Sequence, residues 1–222
     1  MIQRLRGFNS DCRDYAKKWQ ALDQALYRLC QKHPDHSTWA PVAAKVWIIG
    51  RTYATGIERK IRSKRTQGSS LTQLTEHILA NRGRVKSIFS RLEDISGPLT
   101  LEKLKQIVIQ HGKFMRLLQP KLHRKQSPRS FASKYMHFHC SLVPLYDTLA
   151  VKALQHLYRW QDSFEVFDMP PEADEEYGWH VMRFWQLYQD AQQNGRRLTV
   201  KLLDYYLLCV AEELRKQRVS PL

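Results

Sequence analysis

The sequence predicts an all-α fold. Three observations carry that reading. Apolar residues recur at three- and four-residue spacings along most of the chain, strand-type alternation is almost absent, and the interruptions fall on residues that cap or break helices. Trp19, Leu22, Leu26 and Leu29 define a first helix over about 10–32. His33-Pro34 ends it, because the residue before a proline is pushed out of the helical region. A second helix is expected over 43–61, the most aromatic and apolar stretch of the chain. Gly68-Ser69-Ser70 breaks it and caps a third over about 71–93. After Gly97-Pro98, Thr100 caps a helix carrying Leu101, Leu104, Ile107 and Val108. A basic connection runs from Pro120 to Ser127, and Ser127-Pro128 starts the next helix with Ser as cap and Pro in the first helical position. That helix ends near Cys140, another begins near Tyr146-Asp147, and two more run over 174–193 and 199–217. About eight to ten helices result, in a single unit of 222 residues that is long enough to enclose a core.

Composition narrows the function classes. Lysine and arginine total 36 against 21 acids, a net charge of +15, which favours a polyanionic partner, nucleic acid first. Apolar runs such as Val46-Trp47-Ile48-Ile49 are too short to span a bilayer. Met1 to Arg6 lacks the apolar segment of a secretory signal. No membrane partner is therefore expected, and the location is read as cytoplasmic. Cys12, Cys30, Cys140 and Cys209 lie far apart, as free thiols do in a reducing compartment. In His137-Phe138-His139-Cys140, alternate helical positions point to different faces, so no metal and no other cofactor is expected.

The charge is unevenly spread. Residues 101–140 hold nine Lys or Arg and one acid, whereas residues 162–176 hold seven acids and no base. The acidic block contains Met169-Pro170-Pro171 and reads as an exposed loop, either simply solvated or acting as a gate or docking segment.

Chemistry concentrates between Pro128 and Leu154. A basic turn feeds a helix N-terminus, where free N–H groups and the helix dipole favour phosphate, and Lys121, Arg124, Lys125 and Arg129 add charge there. A Val143-Pro144-Leu145-Tyr146 link then places Asp147 at the start of the next helix, whose dipole favours the ionised form. Each part also has a plain structural reading. Asp147 serves as an N-cap, and Lys134 as a solvated helix residue.

This segment resembles the helix-hairpin-helix DNA glycosylase superfamily. In that family a hairpin is followed by Arg-Lys/Ser-Thr-Ala, a helix, a link of the type Phe-Pro-Ile/Val-Leu-Asp, and a further helix. Arg129-Ser130-Phe131-Ala132 matches the start, and Val143-Pro144-Leu145-Tyr146-Asp147 the end. Upstream, Ile48-Ile49-Gly50-Arg51-Thr52 stands where the family has an apolar pair followed by Gln-Gln-Thr beside the base pocket. The resemblance implies two helical lobes, 38–145 with the hairpin and 1–37 plus 146–222, without a separate domain or an obligate protein partner. It implies an enzyme that cleaves the N-glycosidic bond of a flipped base in double-stranded DNA. Asp147 becomes the catalytic carboxylate and Lys134 a second catalytic candidate. Arg51, Thr52 and Tyr53 become the base pocket, and Lys121, Arg124, Lys125, Arg129 and Ser130 the phosphate grip.

Two departures sharpen the expectation. Gln126-Ser127-Pro128 replaces the usual Gly-Val-Gly of the hairpin, so phosphate contact shifts toward side chains. Ser130 replaces the lysine of the bifunctional members, which favours base removal without strand cleavage, while Lys134 one turn on keeps the lyase question open. A polar pocket holding an arginine suits a bulky, hydroxyl-rich modified base as well as a plain damaged one. Both repair and bacterial defence against modified phage DNA therefore stand as expectations. Two other readings compete. Arg28-Leu-Cys-Gln-Lys-His33 has the Arg-x4-His spacing of a small helical (HEPN-like) ribonuclease, and the charge alone fits a non-catalytic nucleic-acid-binding protein.

Overall fold

A computed structural model of the chain describes residues 10–62, 68–158, 165–193 and 198–219. Among them the structure is all-helical, and the one β-type pairing is an isolated bridge between Ile61 and Leu122. Helix α1 (Ser10–Lys32) stops before His33-Pro34, as the proline requires. Residues 39–61 do not form one helix. α2 (Trp39–Trp47) widens into a π-helical turn (Ile48–Thr52), and after left-handed residues at Ala54 and Gly56 comes the short α3 (Ile57–Lys60). Close packing accounts for the break. A Cβ on Gly50 would lie 3.1 Å from Leu71 and 3.3 Å from Ile57, so the wide turn is pressed onto neighbouring helices at a residue without a side chain.

Ser69 caps α4 (Ser70–Ala80) by accepting from the Thr72 amide. The expected helix over 71–93 is divided at Asn81, whose side-chain amide donates back to the His77 carbonyl, and α5 (Arg82–Glu93) follows. Thr100 caps α6 (Leu101–Leu118) through the Lys103 amide. A single 3-10 turn (Gln119–Lys121) leads into the basic connection. α7 (Arg129–His139) begins one residue later than expected. Pro128 is the cap residue, and the Ser127 hydroxyl accepts from the Arg129 amide. α8 (Thr148–Leu157), α9 (Glu175–Gln193) and α10 (Val200–Val219) complete the chain.

α7 is the central element. All residues from Phe131 to Phe138 are buried, and the helix packs against α1, α5, α6 and the π-turn. α10 lies along α8 and α1, α2 along α4, and α6 between α5 and α9. The apolar core is continuous through these contacts and includes Leu26, Val46, Leu74, Val108, Phe114, Tyr135, Leu154, Val181 and Leu203.

The acidic segment is not a free loop. In its described part, residues 165–174, Glu165 accepts from the Trp185 and Gln189 side chains, and the Glu172 carbonyl accepts from Arg116 at 2.7 Å. Asp174 caps α9 through the Tyr177 amide, and with Glu176 of α9 it pairs with Arg129. The segment is thus a strap over α6 and the start of α7; Asp162 lies outside the described residues. Gly112 in mid-α6 is where the strap comes closest, and any Cβ there would collide with the Glu172 carbonyl. Gly112→Ala is therefore expected to lose about 1–3 kcal/mol of stability in urea unfolding, as overpacking against backbone does, and an unchanged midpoint would show that the strap does not press on α6.

Candidate active-site cleft

Ser133, Lys134 and His137 are polar residues on the buried stretch of α7, so each needs a partner. Ser133 donates to the Ser130 carbonyl and accepts from the Tyr146 amide. One ring nitrogen of His137 meets the Val143 carbonyl at 2.8 Å, and the other meets the Tyr27 hydroxyl. Lys134 donates to the Tyr53 carbonyl at 2.9 Å and to Asp147 at 2.8 Å. The link before Asp147 is held from α9 as well, where Tyr177 donates to the Pro144 carbonyl and His180 bonds the Leu145 carbonyl, both at 2.8 Å.

Asp147 caps α8, with one carboxylate oxygen on the Leu149 amide and the other on Lys134. Burial pushes its pKa up, while the Lys134 ammonium and the Leu149 amide pull it down more strongly. The net shift is below the usual carboxylate value. The pair opens onto a cleft of about 200 Å³. Thr52, Tyr53 and Ala54 form one wall, Tyr15 and Trp19 of α1 another, and Lys201, Asp204, Tyr205 and Leu208 of α10 a third. Trp19 and Tyr53 stand 5.9 Å apart between ring centres. Behind them, Asp23 accepts from the Tyr53 and Tyr205 hydroxyls and lies 3.6 Å from Lys201. The ammonium of Lys201 sits 4.8 Å from the Tyr205 ring and 5.5 Å from the Tyr53 ring, a cation held against aromatic faces.

Of the residues expected at a site, Asp147, Lys134, Thr52 and Tyr53 meet in this cleft. Arg51 does not. The π-turn directs it to Glu58, at 3.0 and 3.3 Å, and over the Trp47 ring, so it is no part of the pocket wall. Arg129 is likewise not an open phosphate ligand, because Asp174 and Glu176 neutralise it and its side chain is 16% exposed. Ser130 lies partly buried in the first turn of α7. Arg124 and Lys125 are exposed on the turn before α7, with Lys121 half-buried beside them. The 60–62 segment staples that turn. Lys60 donates to the Ser127 carbonyl at 2.8 Å, Arg62 donates to the Pro120 carbonyl at 2.8 Å, and backbone bonds join Arg62 to Lys121 and His123 to Lys60. Exposed Arg59 and Arg62 thereby join the basic surface. Arg28 is exposed on α1 and His33 lies past its end, and neither lines the cleft.

Sequence reasoning missed Trp19, Asp23, Lys201, Asp204 and Tyr205 as site residues. Their spacing was visible, with Tyr15, Trp19 and Asp23 one turn apart on α1 and Lys201, Asp204, Tyr205 and Leu208 on one face of α10. What the sequence withholds is that these two faces meet. Comparison of the chain with protein-family models, curated proteins and solved structures finds no match.

The Lys134–Asp147 pair generates a prediction. Lys134→Met leaves a largely buried carboxylate without its cation. The Asp147 carboxyl is then expected to titrate above its ordinary range in carbon NMR, and stability at pH 7 to drop by about 2–3 kcal/mol. Since the folded pKa of Asp147 lies below the unfolded one, its contribution is present at neutral pH and is lost as the pH falls below about 4. An unshifted titration in the variant would show that Lys134 is not what holds the carboxylate.

Proposed function

We propose that the chain is a DNA N-glycosylase, a divergent relative of the helix-hairpin-helix glycosylases, that hydrolyses the bond between a flipped base and its deoxyribose and leaves an abasic site. The observation that carries the reading is the Lys134–Asp147 pair at the mouth of α8, an ionised carboxylate fixed from two sides and facing an aromatic-walled cleft. Cleavage of an N-glycoside builds positive charge on the sugar carbon, and a preorganised anion is what stabilises that charge or aligns the attacking water. The base must first leave the stack at a cost of a few kcal/mol. Stacking on Trp19, Tyr53 or Tyr205 offsets this by about 1–3 kcal/mol.

The cleft volume bears on the substrate. About 200 Å³ is smaller than a site for a drug-sized ligand, which runs to roughly 300–1,000 Å³, and it suits a single base ring system. With Arg51 turned away toward Glu58, the reason for favouring a bulky, hydroxyl-rich base falls, and a damaged base of ordinary size fits better. Reaction by water, without a covalent intermediate, is supported by the partners of Lys134, which donates to both Asp147 and the Tyr53 carbonyl, and by Ser130 in the position of the family lysine. In this reading both lobes, 38–145 and 1–37 plus 146–222, contribute lining residues to the cleft, and the turn from Gln119 to Pro128 takes the place of the hairpin. There Lys125 adopts the left-handed conformation, at φ 71°, that a hairpin glycine would take. Lys121, Arg124, Lys125, Arg59 and Arg62 are the groups that grip backbone phosphates.

Asp147→Asn is expected to abolish alkali-revealed abasic sites in damaged duplex DNA while leaving binding in gel-shift titrations within about threefold, since base contacts and phosphate contacts are separate. Full activity in that variant would overturn the assignment. Reversing charge at Arg124 and Lys125 together should weaken binding to all sequences and lower the slope of log affinity against log salt by about 2, whereas an unchanged slope would place the DNA elsewhere.

A further inference from the structure

We propose that Asp204 is the general acid of this cleft, delivering a proton to the departing base while Asp147 stays ionised beside the sugar. The inference rests on the glycosylase reading and adds to it a second carboxylate with a separate role. Three carboxylates surround the cleft, and their partners distinguish them. Asp147 takes hydrogen bonds from Lys134 and the Leu149 amide. Asp23 takes them from the hydroxyls of Tyr53 and Tyr205. Among the described residues no group hydrogen-bonds to Asp204; its nearest cation, Lys201, stands 3.6 Å away, beyond hydrogen-bond reach. Asp204 is buried at 5% exposure and is among the residues that line the cleft a base would fill.

The surroundings push the two cleft carboxylates apart. Burial raises the pKa of Asp204; Lys201 and Lys134 lower it, and Asp147 and Asp23 raise it, with a net shift upward. Tyr15, Tyr53 and Tyr205 are the other titratable groups of the cleft near it, and Tyr27 lies within electrostatic reach on α1. Asp147, against Lys134, shifts the other way. Such a split is how two neighbouring carboxyls come to serve as acid and anion in one site. Lys201, 3.6 Å from both Asp23 and Asp204 and against three aromatic rings, has ammonium protons to offer a base carbonyl.

The step balances. The bond from the sugar carbon to the base nitrogen breaks with its electron pair going to the base, and the Asp204 carboxyl proton moves onto a ring nitrogen or carbonyl oxygen of that base. Water adds to the sugar carbon, and the proton it loses restores Asp204. The products are the free base and a hemiacetal abasic sugar, with Asp147 unchanged.

The test is single-turnover base release across pH 5–9 from duplexes carrying one uracil, one hypoxanthine or one 7-methylguanine, using wild type, Asp204→Asn, Asp204→Glu and Asp147→Asn. A neutral base leaves more readily when it takes up a proton, whereas 7-methylguanine already carries the positive charge. Expected is a loss of about 100-fold for Asp204→Asn on the neutral bases, a loss roughly tenfold smaller on 7-methylguanine, and disappearance of the alkaline limb of the pH–rate profile. Asp204→Glu, which keeps a carboxyl, retains that limb. Wild-type rates in Asp204→Asn, equal losses on all bases, or an alkaline limb that survives would overturn the proposal alone. Wild-type protein that releases none of these bases would overturn the glycosylase reading and this proposal with it. Thermal melting of each variant separates a lost proton donor from a lost fold.

Discussion

The link from Val143 to Asp147 is the constraint on which the site depends. It is irregular backbone running through a buried region, so its peptide groups lack a helical partner and must find side chains. Val143 is met by His137, Pro144 by Tyr177, Leu145 by His180, and the Tyr146 amide by Ser133. Burial drives the His137 and His180 pKa values down, to about 3 and about 4, so both rings stay neutral at physiological pH. A neutral ring can donate from one nitrogen and accept at the other, as His137 does between the Val143 carbonyl and the Tyr27 hydroxyl. The link is therefore set by four side chains from two helices, and Asp147 inherits its position from them.

The positive charge of the chain divides into two populations. One is structural. Arg129 neutralises Asp174 and Glu176, Arg116 holds the strap through the Glu172 carbonyl, and Lys103 donates to the Ser96 and Pro98 carbonyls ahead of α6. The other is solvated; it includes Arg59, Arg62, Arg124 and Lys125 on the turn before α7 and the segment bridged to it, and also Arg28 on α1 and Arg82, Arg84 and Lys86 at the start of α5. Only the second is available to a polyanion, because a bidentate Arg–carboxylate pair would have to break before Arg129 could take a phosphate. The acidic segment thus removes part of the basic block from nucleic-acid contact by packing on it.

How much of this was legible in the sequence follows from the range of the interactions involved. Local signals read correctly: Pro34 after α1, Thr100 before α6, Asp147 before α8, each a cap or breaker acting within one turn. The Asp147 cap and the helix carrying Lys134 could be placed from these alone. The long helix expected over 43–61 failed, because its break depends on Gly50 meeting Leu71 and Ile57, a tertiary contact. Arg51 was misplaced for the same reason, since a π-turn rotates side chains away from the helical positions that spacing assumes. The α10 wall of the cleft was out of reach, because α1 and α10 lie nearly two hundred residues apart in the chain and only packing joins them.

The seam between α1, α7, α8 and α10 is built unlike ordinary apolar packing. A seam of well-fitted apolar side chains would be at least as stable as one built from paired charges, since burying ions costs more than their attraction usually returns. Here the seam instead holds Asp23, Asp147, Asp204, Lys134 and Lys201 within or beside a cavity of about 200 Å³. Three tyrosines and a tryptophan enclose those charges, which lowers the local dielectric and strengthens each interaction. Elsewhere the buried polar groups of α7 serve the backbone, as Ser133 and His137 do. At the seam the carboxylates and ammonium groups face each other and open space. Residues drawn from both ends and the middle of the chain bring these charges together, and the cost of burying them around a cavity is what favours this cleft as the proposed site.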